Sequence, residues 1–188
     1  MILMRHGQTE FNRVYSETRR DPGIRDPQLT PDGRKQAAAV AQALRAMNPR
    51  RLLASPYTRA LETAEIIAAD LGLPISVEPL VAERFVFTCD IGSPLAALRA
   101  RWPDIAFDHL ADPWWPRQEE SEEALSNRSE IFCRRIAWEA WSGIAVVTHW
   151  GFIRAVTGHK VPNGAALRID PTRPGRAVEP LYSPGGAG

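Results

Sequence analysis

A chain of 188 residues, 44% hydrophobic and 24% charged, has the size and composition of one soluble globular domain with a core of its own. Lysine plus arginine number 23 against 22 for aspartate plus glutamate, and this net charge of +1 gives no electrostatic reason to expect nucleic acid or an anionic membrane as partner. No apolar run approaches a membrane span, no basic leader precedes a long apolar stretch, and Cys89 and Cys133 stand far apart without metal-ligand spacing, so a soluble cytoplasmic protein with reduced thiols is expected.

Met1 to Met4 form a short unbroken apolar run, which suits a strand buried on both faces of a parallel sheet. Arg5, His6 and Gly7 follow at once. Such a strand delivers a cation and an imidazole to the carboxyl edge of the sheet, where open α/β sheets bind their ligands. Gly7 permits a sharp turn and a close approach, and Gln8 and Thr9 add small polar groups, so phosphate capture is the chemistry suggested. The tripeptide alone is better explained as a structural histidine beside a surface arginine.

Ser16 to Gln28 is rich in Arg, Asp and Pro and lacks apolar periodicity, so it reads as a loop on the rim of that site. Thr30 and Pro31 then start a helix as N-cap and first helical residue. Ala37, Val40, Ala41, Leu44 and Met47 recur at helical spacing until Asn48 and Pro49 stop it. Arg51 to Ser55 is a second strand, and Pro56 turns the chain into a helix from Tyr57 to Leu71 with Gly72 as C-cap. This repeats the plan of the N-terminus and sets Ser55 and Arg59 at the same sheet edge.

Ile75 to Glu78 is a third strand, and Leu80 to Glu83 leads into an irregular stretch from Arg84 to Gln118. Within it Pro94 to Trp102 reads as a helix, and Asp112 to Pro116 as a rigid loop. Its Trp114 and Trp115 either cover a substrate pocket or, the commoner role for tryptophan, simply pack. Glu119 to Trp141 has the acidic start of a helix, with Leu125, Phe132 and Ile136 on one face. Gly143 to Thr148 is the clearest strand and ends at His149. A helix from Phe152 to Thr157 gives way at Gly158, and Ala165 to Ile169 reads as an edge strand. These elements make one domain over residues 1–169, followed by a Pro/Gly-rich tail over 170–188, ending Pro-Gly-Gly-Ala-Gly, that is expected to be extended or disordered. The alternation of strands and helices predicts an α/β protein, a three-layer α/β/α sandwich with a mostly parallel central sheet.

Three strands thus lead into groups suited to an anion: Arg5 and His6, Arg59 a turn into the following helix, and His149. The ends of neighbouring parallel strands lie side by side, so these side chains can converge although they are remote in sequence. The segments Met4-Arg-His-Gly-Gln-Thr-Glu-Phe-Asn12, Leu29-Thr-Pro-Asp-Gly-Arg-Lys-Gln-Ala37, Ala54-Ser-Pro-Tyr-Thr-Arg-Ala-Leu-Glu-Thr-Ala64 and Val147-Thr-His-Trp-Gly-Phe-Ile-Arg154 carry a resemblance. The sequence resembles the histidine phosphatase superfamily, also called phosphoglycerate mutase-like.

The resemblance implies that His6 is the nucleophile and takes the phosphoryl group as a phosphohistidine, while Arg5, Arg59 and His149 grip the phosphate oxygens. It implies Thr9 and Asn12 as further phosphate contacts and Glu83 as general acid and base. No metal and no cofactor is required by this scheme, and His6 and His149 lack compact zinc-ligand spacing. Simpler readings stand beside these. Against the role as acid and base stands a lesser rival, Glu83 as a surface carboxylate next to Arg84, and Asn12 reads about as well as a cap of the first helix. Arg84 is expected to face solvent, and His109 and His159 to be surface or structural. The superfamily commonly has glycine directly after the second catalytic histidine, where this chain has Trp150.

The leading expectation is a phosphomonoesterase acting on a small phosphorylated metabolite or phosphoprotein. A phosphoglycerate-type mutase is the alternative, since the same nucleophile serves both, although this compact chain is short of the covering segments a mutase uses to exclude water. A non-catalytic phospho-ligand binder would be marked by loss of Arg5, His6, Arg59 or His149, and all four are present. The sequence leaves the substrate and the state of self-association open.

Overall fold

Runs of three or four apolar residues, too uniform to have a wet side, become the middle of the sheet. The computed structural model describes residues 1–175 and 178–185. Among them six strands, β1 (Ile2–Arg5), β2 (Arg51–Ala54), β3 (Ile75–Val77), β4 (Ile144–Thr148), β5 (Ala166–Arg168) and β6 (Glu179–Tyr182), form one sheet in the order β3-β2-β4-β1-β5-β6. The first four strands are mutually parallel, while β5 runs antiparallel to β1 and β6 antiparallel to β5.

The six α-helices among the described residues are α1 (Glu10–Thr18), α2 (Pro31–Arg45), α3 (Thr58–Leu71), α4 (Leu95–Arg101), α5 (Glu122–Ala137) and α6 (Trp150–Thr157), and α2 to α6 pack on the two faces. Strand residues alternate between them. Ile2, Met4, Leu52, Ala54, Ala145 and Val147 pack with α2, α3 and α4, whereas Leu3, Leu53, Ile144 and Val146 pack with α5 and α6. The result is the expected three-layer sandwich. No helix among the described residues is long and apolar enough to cross a membrane.

Several boundaries differ from the sequence reading. Ser16 to Thr18, read as loop, continue α1, because Thr9 and Asn12 form a capping box at its start and Phe11 and Tyr15 give it an apolar stripe against Phe87. The helix read from Glu119 to Trp141 is shorter at both ends. Ser121 caps it by accepting from the Ala124 N–H, and it stops at Ala137 with Trp138 exposed. Within the tail, Glu179 to Tyr182 pairs with β5 as an edge strand that carries Pro180, so the sheet runs on past Asp170. Arg176, Ala177 and the last three residues of the Pro-Gly-Gly-Ala-Gly ending lie outside the described residues.

Two glycines bring the β1–α1 loop onto α2. A Cβ on Gly7 would lie 2.3 Å from the Gly33 carbonyl oxygen, and one on Gly33 would lie 2.1 Å from the Gln8 carbonyl oxygen. Both obstacles are backbone, which has little room to yield. Gly33→Ala is therefore expected to destabilise the protein by about 1–3 kcal/mol, read as a lower midpoint of urea unfolding; an unchanged midpoint would show that the loop does not rest on the helix.

Candidate active site

β1 and β4 pair with Arg5 opposite Thr148, and the His6 N–H donates to the Thr148 carbonyl at 3.0 Å. The next residue on each strand is a histidine. The rings of His6 and His149 consequently stand 5.1 Å apart, centroid to centroid. On the other side of β4, Ala54 of β2 lies opposite Val147, which brings Ser55 to His149, and Ser55 Oγ and His149 Nε2 are hydrogen-bonded at 2.7 Å.

The carbonyl of Gly7 can only accept, so His6 Nδ1 is the donor in the 2.7 Å bond between them. The neutral ring then carries its free lone pair on Nε2. Burial pushes the His6 pKa well below its ordinary value, and Arg59 and Arg5 lower it further, so that lone pair is available at neutral pH. His149 is fully buried and depressed in the same way, first by burial and then by Arg59, and its Nδ1 has no hydrogen-bond partner among the described residues.

Arg5 donates from Nη1 to the Val161 carbonyl at 2.8 Å, while its Nε is buried without a partner. Desolvation lowers its pKa to about 10, which leaves it charged at neutral pH. Arg59, in the first turn of α3, is buried and donates from Nη1 to the Cys89 carbonyl at 2.8 Å and from Nη2 to Asp90 Oδ1 at 3.0 Å. The other oxygen of the buried Asp90 accepts from the Val86 and Phe87 N–H groups at 3.1 and 3.0 Å. One carboxylate thus folds its own loop and fixes the guanidinium.

Glu83 is half-buried rather than a free surface group. Its Oε1 accepts from the N–H groups of Arg84 and Gly151, both at 2.9 Å, the second lying at the start of α6. Burial raises its pKa, helped by Asp90 and opposed by Arg59. Arg128 on α5 holds the chain that carries it, donating from Nη1 to the carbonyls of Leu80 and Ala82 at 2.7 and 2.9 Å while pairing with Glu120 at 2.7 Å.

The hydroxyl of Thr9 is occupied within the cap: it donates to Asn12 Oδ1 at 2.9 Å and accepts from the Asn12 N–H at 3.2 Å. Asn12 Oδ1 also accepts from Asn163 Nδ2 at 3.1 Å, which leaves the Asn12 amide nitrogen for a ligand. Arg5, His6, Thr9, Asn12, Arg59 and Glu83 all line one cavity of about 800 Å³. His149 lies beneath that wall rather than in it. Ser16, Arg19 and Pro27 reach the rim, as expected of the segment after His6.

Arg84, expected to face solvent, instead lines the cavity and donates from Nε to the Glu120 carbonyl at 2.8 Å. Trp150 lines it as well. Trp114 and Trp115 are not on its wall: Trp114 donates from Nε1 to the Ser93 carbonyl at 2.9 Å and stands edge-on to Tyr57, which is packing rather than a lid. No local pattern marks Asp90 or Arg128 in the sequence, since their partners are carbonyls and charges brought by tertiary contact. Asn163 precedes a glycine with φ of 75°, a turn signal, but nothing there indicates that it would donate to the His6 carbonyl at 3.2 Å.

The histidine phosphatase superfamily (branch 1) model matches residues 1–172. This chain belongs to that superfamily. It is 30% identical over 173 residues to a glucosyl-3-phosphoglycerate phosphatase of Mycolicibacterium vanbaalenii, covering 84% of this chain and 72% of that protein. It is 31% identical over 167 residues to a probable phosphatase of Schizosaccharomyces pombe, covering 82% of this chain and 75% of its relative. A solved structure of a mycobacterial glucosyl-3-phosphoglycerate phosphatase matches with a TM-score of 0.63 at 22% identity, over 96% of this chain and 95% of that one, which is a likeness of fold. The superfamily member described here is a phosphatase, a hydrolase of phosphate monoesters.

Removing one partner of a buried ion pair strands the other charge, at about 3–5 kcal/mol. Asp90→Ala is expected to lose stability on that scale in chemical unfolding, and inorganic phosphate is expected to restore part of it by offering Arg59 another anion. A stability close to wild type would show that Arg59 is held by something other than Asp90.

Proposed function

We propose that this phosphatase hydrolyses its monoester in two steps, with the phosphoryl group held in between on His6 Nε2. The observation that carries the reading is the His6 tautomer: one ring nitrogen is committed to the Gly7 carbonyl, so the other is a free base inside a shell of cations. Two buried groups beside it, Arg5 Nε and His149 Nδ1, have no partner among the described residues. With Ser55 Oγ–H donating to His149 Nε2, the neutral ring carries its proton on Nδ1, and both groups are donors. An unsatisfied buried donor costs about 1–3 kcal/mol, and a phosphate oxygen would relieve that cost at Arg5, which lines the cavity.

In the first step the His6 Nε2–P bond forms as the bond from phosphorus to the alcohol oxygen breaks, and protonated Glu83 gives its proton to that oxygen. In the second, water attacks phosphorus and returns a proton to Glu83 as the N–P bond breaks and phosphate leaves. Arg5 and Arg59 hold the non-bridging oxygens throughout, with Asn12 as a further contact. Thr9 serves mainly by fixing Asn12 in its cap. The partner is a small phosphate ester, and two buried free thiols at Cys89 and Cys133 suit a cytoplasmic setting.

His6→Ala is expected to abolish release of phosphate from an aryl phosphate supplied without bisphosphate primer, and to abolish the acid-labile phosphoenzyme trapped by a basic quench, while circular dichroism stays as in the wild type. Persistent turnover in that variant would sink the mechanism. Interconversion of phosphoglycerates without net phosphate release would make the protein a mutase.

The pH dependence follows from two opposite shifts. His6, lowered, keeps its lone pair until pH falls well below the ordinary histidine range, and Glu83, raised, keeps its proton further up the scale than a free carboxyl. With an alkyl phosphate, kcat/KM is expected to peak on the acidic side of neutrality. Glu83→Gln should lower kcat/KM on the alkyl phosphate by about 10²–10⁴ and erase the alkaline limb, with a smaller loss in kcat/KM on an aryl phosphate whose leaving group needs no proton. Equal losses on both substrates would show that Glu83 is not the acid.

A further inference from the structure

A phosphoryl group fills only a small part of a cavity of about 800 Å³, and four Phe, Tyr and Trp side chains line the rest of its wall among charged and polar groups. On α1, Phe11 and Tyr15 are four residues apart and stack at 5.6 Å with their planes 11° apart. Phe87 closes against both, 5.6 Å from Phe11 and 5.2 Å from Tyr15, tilted by 51° and 60°. Trp150 completes the set, with the Arg154 guanidinium 5.3 Å from its ring centroid to hold the indole in place. All four rings line the same cavity as His6 and Arg5.

Their burial says what the wall is for. Phe11 is buried, but Tyr15, Phe87 and Trp150 are only half-buried, and Val86 beside Phe87 is 38% exposed. Aromatic surface placed on a concave wall and left partly wet gains by being covered, and the tilted and offset geometries among these rings are those aromatic partners prefer. Asp90 makes this surface firm, since the carboxylate that pins Arg59 also accepts from the Val86 and Phe87 N–H groups, so the wall and the phosphate grip are set by one residue.

We infer that the phosphatase takes monoesters whose alcohol half carries an aromatic ring, seated against Tyr15, Phe87 and Trp150 while the phosphoryl group meets His6. This rests on the hydrolase reading above and adds the class of leaving group. Aromatic contact of this kind is enough to decide among substrates that offer the same phosphate.

The test compares 2-phenylethyl phosphate, 2-cyclohexylethyl phosphate and glycerol 3-phosphate, all esters of primary alcohols, so that leaving-group chemistry is closely matched. The phenylethyl ester is expected to exceed each of the others in kcat/KM by about tenfold. That ratio should shrink toward one in Phe87→Ala and in Trp150→Gly, and Tyr15→Ala, on the partly exposed face of α1, gives a third reading should either of those fail to fold. Comparable rates for the three esters, or a preference that survives all the substitutions, would overturn the inference while leaving the His6 mechanism standing. Loss of turnover on every monoester tried would overturn both.

Discussion

The parallel pairing of β1 with β4 decides where chemistry can occur in this molecule. Arg5 opposite Thr148 is a statement about backbone hydrogen bonds, yet it is what sets two imidazoles 5.1 Å apart at the carboxyl edge of the sheet. Register in a strand has no half measures, because a slip of one residue turns each side chain to the other face. Both strands are buried on both faces by alternate residues that pack into different helical layers, and those two cores fix the register from opposite sides. The Gly7–Gly33 contact then folds the loop after His6 down onto α2, and the Gly7 carbonyl within that loop orients the His6 ring.

Crowding two guanidiniums and two imidazoles into a buried edge is costly, and the arrangement limits the cost unevenly. The imidazoles stay neutral, Arg59 has Asp90, and Arg5 has one carbonyl and a distant attraction to Glu83. The balance is local positive charge in a chain whose net charge is only +1, so attraction for an anion comes from placement and not from composition. The same imbalance separates the two titrating groups: cations and burial together lower His6, while burial and the Asp90 carboxylate raise Glu83 against Arg59. Two neighbouring groups shifted in opposite directions thus arise from one electrostatic field.

The parts of this architecture legible in the sequence are those decided locally. Apolar runs gave β1, β2 and β4, Thr30 and Pro31 gave the start of α2, and strands ending in His6 and His149 gave the meeting point, because neighbouring parallel strands have their ends together. Residues whose role depends on distant carbonyls carried no such mark. Arg128 looks like one more charge on α5 until the chain from Leu80 to Ala82 is laid across it, and Asp90 sits in a stretch with no periodicity at all. Strand β6 escaped notice for a related reason: Pro and Gly around Glu179 argue against a strand unless an edge is waiting to pair with it, and β5 supplies that edge.

Trp150 shows how a departure at one position is absorbed by its neighbour. The close approach in this site happens at Gly151, where a Cβ would come within 2.3 Å of Glu83 Oε1 and where the N–H at the start of α6 holds that carboxylate. The seat of the Glu83 carboxylate therefore needs a small residue at 151 and makes no such demand at 150. A bulky ring there can face the cavity, steadied by Arg154 one helical turn on, without disturbing His149 beneath the wall or the carboxylate beside it. The backbone seat of the carboxylate and the ring on the wall are thus adjacent residues of one turn, and the second can change while the first stays put.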